Sequence, residues 1–379
     1  MSVIAIITYS DFPNGSPGAI RYATFAYSLI DMGYQVVVFH KAKDCSIENS
    51  ILTIPIYSEN KYIRFVQFGF KVIKELRKQC KKRALQGVII GADVHTIHAT
   101  FISLWCRLHN IKCIFDVTEW YSKEQFTNWK ISTSYWMREV LNRVVIGKRQ
   151  RVIAISSYLY NYFNRKGCKV VRIPIIYNEK LYDKPLVHKN RLDNKLSIIY
   201  AGSHLKMDNI PLVIEAISLL SDAERCNIQF VIYGLSEEKI RMCVPSDIFA
   251  KAQYSLRVMG RRPNAEVMEA YAFADFSIVL RDPTARVNRA GFPSKVVESM
   301  HMGIPVLCNY SSDLNLYLTH NENSIVIDEL DANKLCVLFQ ELVSMPKSEK
   351  DRIGQNAACT VHTQLCAKQF EQQFIDIIS

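Results

Sequence analysis

The chain has 379 residues, 49% of them hydrophobic and 22% charged, and carries a net charge of +11. A single core stops growing at about 250–300 residues, so two domains are expected, and the composition excludes a disordered chain. No uninterrupted apolar run approaches the roughly 20 residues that span a bilayer, and the positive balance directs attention to acidic partners such as nucleotides, anionic membrane surfaces and nucleic acid. The eleven cysteines show no C-x-x-C pair and no clustering with histidine, so they read as reduced thiols. Residues 3–7 already look like a strand, with no basic leader before them, and a cytosolic protein is expected.

The first half alternates strand-like runs at 3–7, 35–39, 94–97, 112–115 and 152–155 with helical stretches. This pattern predicts an α/β domain, a mainly parallel sheet covered on both faces, with ligands at the carboxyl ends of the strands. After the first strand, Gly15 and Gly18 permit close backbone approach to a ligand, and Arg21 sits in the first turn of the following helix. A plain connecting turn meets the same pattern, and the loop lacks the G-x-G-x-x-G spacing of dinucleotide-binding domains. Residues 61–83 form a helical candidate bearing Lys61, Arg64, Lys71, Lys74, Arg77, Lys78, Lys81, Lys82 and Arg83. Apolar residues including Val66, Phe70, Ile73 and Leu76 are interleaved. The segment suits docking to an anionic membrane surface or, equally simply, a solvated face over a core stripe. A second basic patch gathers Arg138, Arg143, Lys148, Arg149 and Arg151. His98 near one strand end, and Asp116, Glu119, Trp120 and Tyr121 after another, are polar and aromatic groups placed where such sheets bind ligands. Each also suits a structural role.

From 174 to 195 the alternation lapses, as in an inter-domain linker. The second half restarts with a strand over 197–202 that ends in Gly202, followed by Ser203, Lys206 and a helix from Ile210. Further strand-then-glycine junctions end at Gly234 and Gly260. Arg262 follows the second of these, and Arg281 follows a strand over 276–280. Asn288-Arg-Ala-Gly-Phe-Pro-Ser-Lys-Val-Val-Glu-Ser-Met-His-Met-Gly-Ile-Pro-Val-Leu-Cys308 then reads as loop, helix and buried strand. Pro293 suits the first turn of that helix. Ser294 and Lys295 stand where unpaired N–H groups and the helix dipole favour an anion. Glu298, one turn on, reaches a hydroxyl on whatever anion docks. An ordinary capped helix with a solvated acid fits the pattern too. Gly303 ends the helix. Residues 311–317 open another helix with a good N-cap, 324–327 form a last strand, and terminal helices run from 332.

The Gly291-Phe-Pro-Ser-Lys-Val-Val-Glu-Ser-Met-His-Met-Gly-Ile-Pro-Val segment resembles the donor-binding segment of retaining GT-B glycosyltransferases in glycosyltransferase family 4. Weaker similarity extends over most of the chain. The resemblance implies two Rossmann-like doubly wound domains facing a central cleft. Residues 1–176 would form the acceptor domain, 177–195 the linker and 196–360 the nucleotide-sugar donor domain. Residues 361–379 would be a helix crossing back to the first domain. Glu298 would bind the nucleotide ribose, and the helix start at Pro293, Ser294 and Lys295 the diphosphate. The first of the family's two motif glutamates falls on Ala290, which removes a side chain near the donor sugar. The family's arginine after the strand-end glycine is replaced by Ser203, and its lysine arrives early as Lys206. Arg262, Arg281 and Lys295 are then the cations to compensate. Gly15, Gly18 and Arg21 would contact donor phosphate or acceptor. Glu119 is the preferred acceptor-side acid, with His98 beside it and Trp120 and Tyr121 stacking on a sugar ring.

The expected activity is transfer of a sugar, with retention, from a UDP- or GDP-linked donor to a hydroxyl of a glycan or polyprenyl-linked acceptor. No metal or other cofactor is expected, because cations and helix dipoles stabilise the leaving diphosphate. The Pro-Ser-Lys variant of the motif points to bacterial capsule, O-antigen or exopolysaccharide assembly, in the cytoplasm or peripherally on the inner face of the plasma membrane. The alternatives are a GT-B nucleotide-sugar epimerase, a degenerate domain without activity, and a basic nucleic-acid-binding protein. No nucleic-acid module is recognisable, so nucleic acid is not an expected partner.

Overall fold

The computed structural model describes residues 2–13, 16–41, 47–48, 51–56, 61–82, 85–181 and 195–379, with backbone alone at 47–48, 61–67 and 81–82. Gly15, Arg83 and the side chains of Lys61, Arg64, Lys81 and Lys82 therefore lie outside the described residues. The chain divides into two compact units. The first comprises Met1–Asp183, Ala285–Phe292 and Cys366–Ser379, and the second Lys184–Thr284 and Pro293–Leu365. Segment Ala285–Phe292 thus belongs with the first unit, although its sequence lies deep in the second half.

In the first unit the strands are β1 (Val3–Ile7), β2 (Gln35–His40), β3 (Ile47–Glu48), β4 (Ile51–Pro55), β5 (Leu85–Ile90), β6 (Lys112–Val117), β7 (Arg151–Ala154) and β8 (Lys169–Arg172). They assemble in the order β3-β4-β2-β1-β5-β6-β7-β8. Every pairing is parallel except β3 with β4. Their continuous apolar runs are what a sheet covered on both faces requires. Helix Pro17–Asp31, capped by Ser16, packs Tyr22, Phe25 and Leu29 onto Ile4, Ile6, Val36 and Val38. Phe374 of the C-terminal helix Glu371–Ile378 meets Phe25 edge-on at 5.1 Å, which places that helix in the first unit's core.

The run at 94–97 is not a strand. The sheet position belongs to Leu85–Ile90, and His95 instead caps helix Thr96–Leu108, its side chain accepting from the Ile97 amide at 3.3 Å. His98 consequently stands in the first turn of a helix.

The second unit contains β9 (Leu196–Ala201), β10 (Ile228–Tyr233), β11 (Leu256–Gly260), β12 (Phe276–Val279), β13 (Val306–Cys308) and β14 (Ser324–Val326). They run all-parallel in the order β11-β10-β9-β12-β13-β14. Strand order reverses between β9 and β12, the topological switch point where open parallel sheets leave a crevice at their carboxyl ends. Each unit is therefore a Rossmann-like parallel sheet with helices. The helix expected from 311 is only a single tight turn, Leu314–Leu316, opened by Asp313. Gly303 does end helix Ser294–His301, adopting φ +76 just beyond it.

Candidate functional site

The switch point of the second unit is organised by a residue whose importance was not visible beforehand, Asp208. Its carboxylate is fully buried and holds two cations at once: Arg281 Nε donates to Oδ1 at 2.8 Å, and Lys295 Nζ donates to Oδ2. Tyr200 Oη also donates to Oδ2, at 2.8 Å. Burial by itself would raise the Asp208 pKa. The charges of Lys295 and Arg281 outweigh it and hold the carboxyl at about 2. Burial pulls Lys295 below the usual lysine range while Asp208 opposes that fall, and burial with the neighbouring carboxylate pushes the Tyr200 phenol up. Asp208 thus pairs with both cations, and Glu298 lies within electrostatic reach of Lys295. Asn309 sets the Arg281 backbone, accepting from its N–H at 2.8 Å and donating to its carbonyl at 2.7 Å.

Glycine is required where the chain leaves β9. A Cβ on Gly202 would come within 2.5 Å of Lys295 Cε and 2.8 Å of Tyr200 Oη. Gly234, at φ +87, would bring its own Cβ within 2.6 Å of the Gly202 carbonyl. Backbone and ammonium thus share a space with no room for a side chain.

Helix Ser294–His301 starts beside this cluster. Pro293 is its N-cap, one position earlier than expected, and offers no side-chain acceptor to the first-turn amides. Its N-terminal dipole and the Lys295 ammonium act in the same direction, toward an anion. Glu298 is half-buried on the next turn. Burial raises its pKa, while a hydrogen bond from Ser294 and the charge of Lys295 oppose the rise. Ser203 and Lys206 are exposed on the loop after Gly202. Arg262 is exposed too, donating from Nε to the Met259 carbonyl at 2.9 Å. Among the sequence-derived candidates of this unit, Arg281 and Lys295 bind Asp208, Gly202 abuts Lys295, and Pro293, Ser294 and Glu298 lie on the helix that carries Lys295 or at its cap. The one advance signal of Asp208 was its place two residues after Lys206, just ahead of a helix.

In the first unit, Arg21 does not face a ligand. Its guanidinium donates to both Asp116 oxygens at 2.9 and 2.8 Å, to the Pro174 carbonyl at 2.6 Å and to the Ile173 carbonyl at 3.0 Å. This corrects the expected phosphate role of Arg21 and the ligand-facing role of Asp116, because both charges are consumed in a buried bidentate pair. Trp120 is likewise corrected. It is 2% exposed and donates from Nε1 to Glu139 at 2.9 Å. Arg286 lies over its ring at 5.0 Å, and together they anchor segment Ala285–Phe292. The Ala290 carbonyl of that segment accepts from Ser156 Oγ at 2.8 Å.

Gly18 lies in the first turn of helix Pro17–Asp31, where a Cβ would meet Ser10 Oγ at 3.4 Å. Nearby at the carboxyl ends of β1 and β5, Asp93 accepts from Thr8 Oγ1, Ser10 Oγ and the Tyr9 amide at 2.6, 2.7 and 2.9 Å. His98 is buried, with Nδ1 3.2 Å from Tyr9 Oη, and Tyr9 stacks on Phe68 at 4.2 Å. Glu119 is exposed. Among the described residues no group of three or more His, Cys, Asp or Glu is placed to hold a metal ion.

Residues 185–359 match the family model described as Glycosyl transferases group 1. Among solved structures, the chain is similar to HepE from Anabaena in complex with UDP, with a TM-score of 0.68 and 13% identity over 99% of each chain. It is similar to sucrose-phosphate synthase from Thermosynechococcus elongatus, with a TM-score of 0.70 and 15% identity over 100% of this chain and 98% of that one. WaaG, a glycosyltransferase involved in lipopolysaccharide biosynthesis, gives 0.66 and 13% over 99% of each chain. No curated protein matches the sequence. Likeness at such identities is one of fold, and the family match covers the second half of the chain. Residues 185–359 are similar to the glycosyl transferases group 1 family, and the chain has the GT-B fold.

Proposed function

We propose that the enzyme transfers a sugar from a nucleotide-diphosphate donor, held by the second unit, to a hydroxyl of a glycan or polyprenyl-linked acceptor, with retention at the anomeric carbon. The observation that carries the donor assignment is the pair of cations, Lys295 and Arg281, held by Asp208 beside the start of helix Ser294–His301. A diphosphate seated there meets first-turn amides and an ammonium, and both stabilise the charge that builds on the leaving group. Lys206 and Arg262 add point charges from exposed loops, and Ser203 a hydroxyl. Glu298, already accepting from Ser294, grips the ribose. In the retaining step the attacking hydroxyl approaches the face the diphosphate leaves, and a departing phosphate oxygen takes its proton. No covalent carboxylate and no metal is invoked.

His98 and Glu119 are the acceptor-side candidates of the first unit. HepE has been crystallised with UDP and with UDP-glucose, so uridine is the first nucleotide to test, with GDP the second. Surface polysaccharide assembly, with the chain peripheral to an anionic membrane face, is the setting this reading favours.

The test is a thermal-shift panel of UDP-, GDP- and ADP-sugars. A ligand at about 100 times its Kd adds about 2.7 kcal/mol of stability. One of the sugars should shift the wild type, Glu298→Ala should abolish the shift, and Glu119→Ala should leave it intact. Equal shifts in wild type and Glu298→Ala would remove Glu298 from the donor site.

A further inference from the structure

Helix Thr96–Leu108 buries Ala99, Ile102 and Cys106 but leaves Ile97, Phe101, Leu104 and Leu108 exposed by 40%, 58%, 51% and 81%. At about 100° per residue these four fall within about 60° of arc, a continuous stripe rather than scattered exposures. The helix packs against helix Lys61–Lys82 on one hand and the helical segments Thr133–Val140 and Leu141–Val145 on the other. Those neighbours add exposed Phe70, Trp136, Val140 and Val144. The exposed cations on the described parts of these helices are Lys74, Arg77, Lys78, Arg107 and Arg143. On the described parts of these helices the acids are Glu75, paired with Lys78, and Glu139, which is buried and pairs with Arg143 and Arg286. A second copy of the chain docked on this face would set cations against cations. An anionic lipid surface meets both the stripe and its charge.

We propose that this three-helix face seats the enzyme on an anionic bilayer. Ile97, Phe101, Leu104 and Leu108 enter the boundary between headgroups and acyl chains, and the surrounding cations lie against lipid phosphates. Among the described residues no helix is long and apolar enough to cross a membrane, so the association is of one leaflet only. The inference deepens the membrane setting of the proposed function, while the nucleotide shift is measured without lipid, so either can fail alone.

The experiment is co-sedimentation of the full chain with vesicles of phosphatidylcholine, alone or mixed with phosphatidylglycerol, at moderate salt. Binding is expected only to the mixed vesicles. The triple variant Phe101→Ser, Leu104→Ser, Leu108→Ser should bind them about a hundredfold more weakly, and Lys74→Glu with Arg77→Glu should also weaken binding. Leu219→Ser with Met242→Ser, which alters exposed apolar residues of the second unit, should bind as wild type does. Circular dichroism melts of each variant establish that it is folded. Undiminished binding by a folded triple variant, or indifference to phosphatidylglycerol, would overturn the proposal. So would a wild-type dimer in the ultracentrifuge that the triple variant dissolves, since the face would then belong to a second copy.

Discussion

Replacing Asp208 with asparagine tests whether the second unit is built around a buried charge cluster. In the wild type the folded pKa is held at about 2 against an ordinary 3.8. At about 1.4 kcal/mol per unit, that difference corresponds to about 2 kcal/mol of stability. The folded value is the depressed one, so the contribution is fully present above the unfolded pKa and is lost as the pH falls through about 2. The Asp208→Asn variant keeps the shape of the side chain and loses its charge, leaving Lys295 and Arg281 facing each other. Removing one partner from a buried ion pair costs about 3–5 kcal/mol, so the variant should be destabilised by about 3 kcal/mol near neutrality. At about pH 3 the unfolded wild type has taken up most of a proton at this position and the folded protein has not, so the gap should narrow by about 1 kcal/mol. Urea unfolding followed by far-UV circular dichroism across that pH range is the assay, because all four tryptophans, Trp105, Trp120, Trp129 and Trp136, lie in the first unit. A gap independent of pH would mean that the carboxylate charge does not stabilise the fold, and the electrostatic account of the site would fall with it.

Gly202→Ala should lose about 2–3 kcal/mol of stability and most nucleotide-induced stabilisation, because its methyl displaces Lys295 or the rigid Tyr200 phenol. In a Lys295→Ala background the added cost should shrink, and a strictly additive pair would show that the ammonium is not what the methyl meets. Arg21→Met should destabilise the protein by about 3–5 kcal/mol by stranding Asp116 in the core. The folded fraction should still show an undiminished nucleotide shift, and selective loss of that shift would return Arg21 to the donor site. Glu298→Gln, which keeps a hydrogen-bonding group, should weaken the nucleotide shift less than Glu298→Ala in the same melting assay.

What the sequence determined by itself is local. The start of the helix at 293–294, its end at Gly303 and the glycines closing β9, β10 and β11 follow from proline and glycine backbone chemistry, which acts within a few residues. The apolar runs that alternate with helical periods dictate parallel sheets for the same reason. Where two local readings competed, as at 94–97, the choice lay with a distant run, Leu85–Ile90, that occupies the sheet beside β1. The partners of the charges were decided by tertiary structure alone. Arg21 finds Asp116 across 95 residues, and Lys295 finds Asp208 across 87. Sequence displays a cation's charge but not the carboxylate that folding brings within its reach. For that reason Arg21, legible as an anion ligand, became part of the framework, and Asp208, which drew no notice in the chain, became the centre of the site.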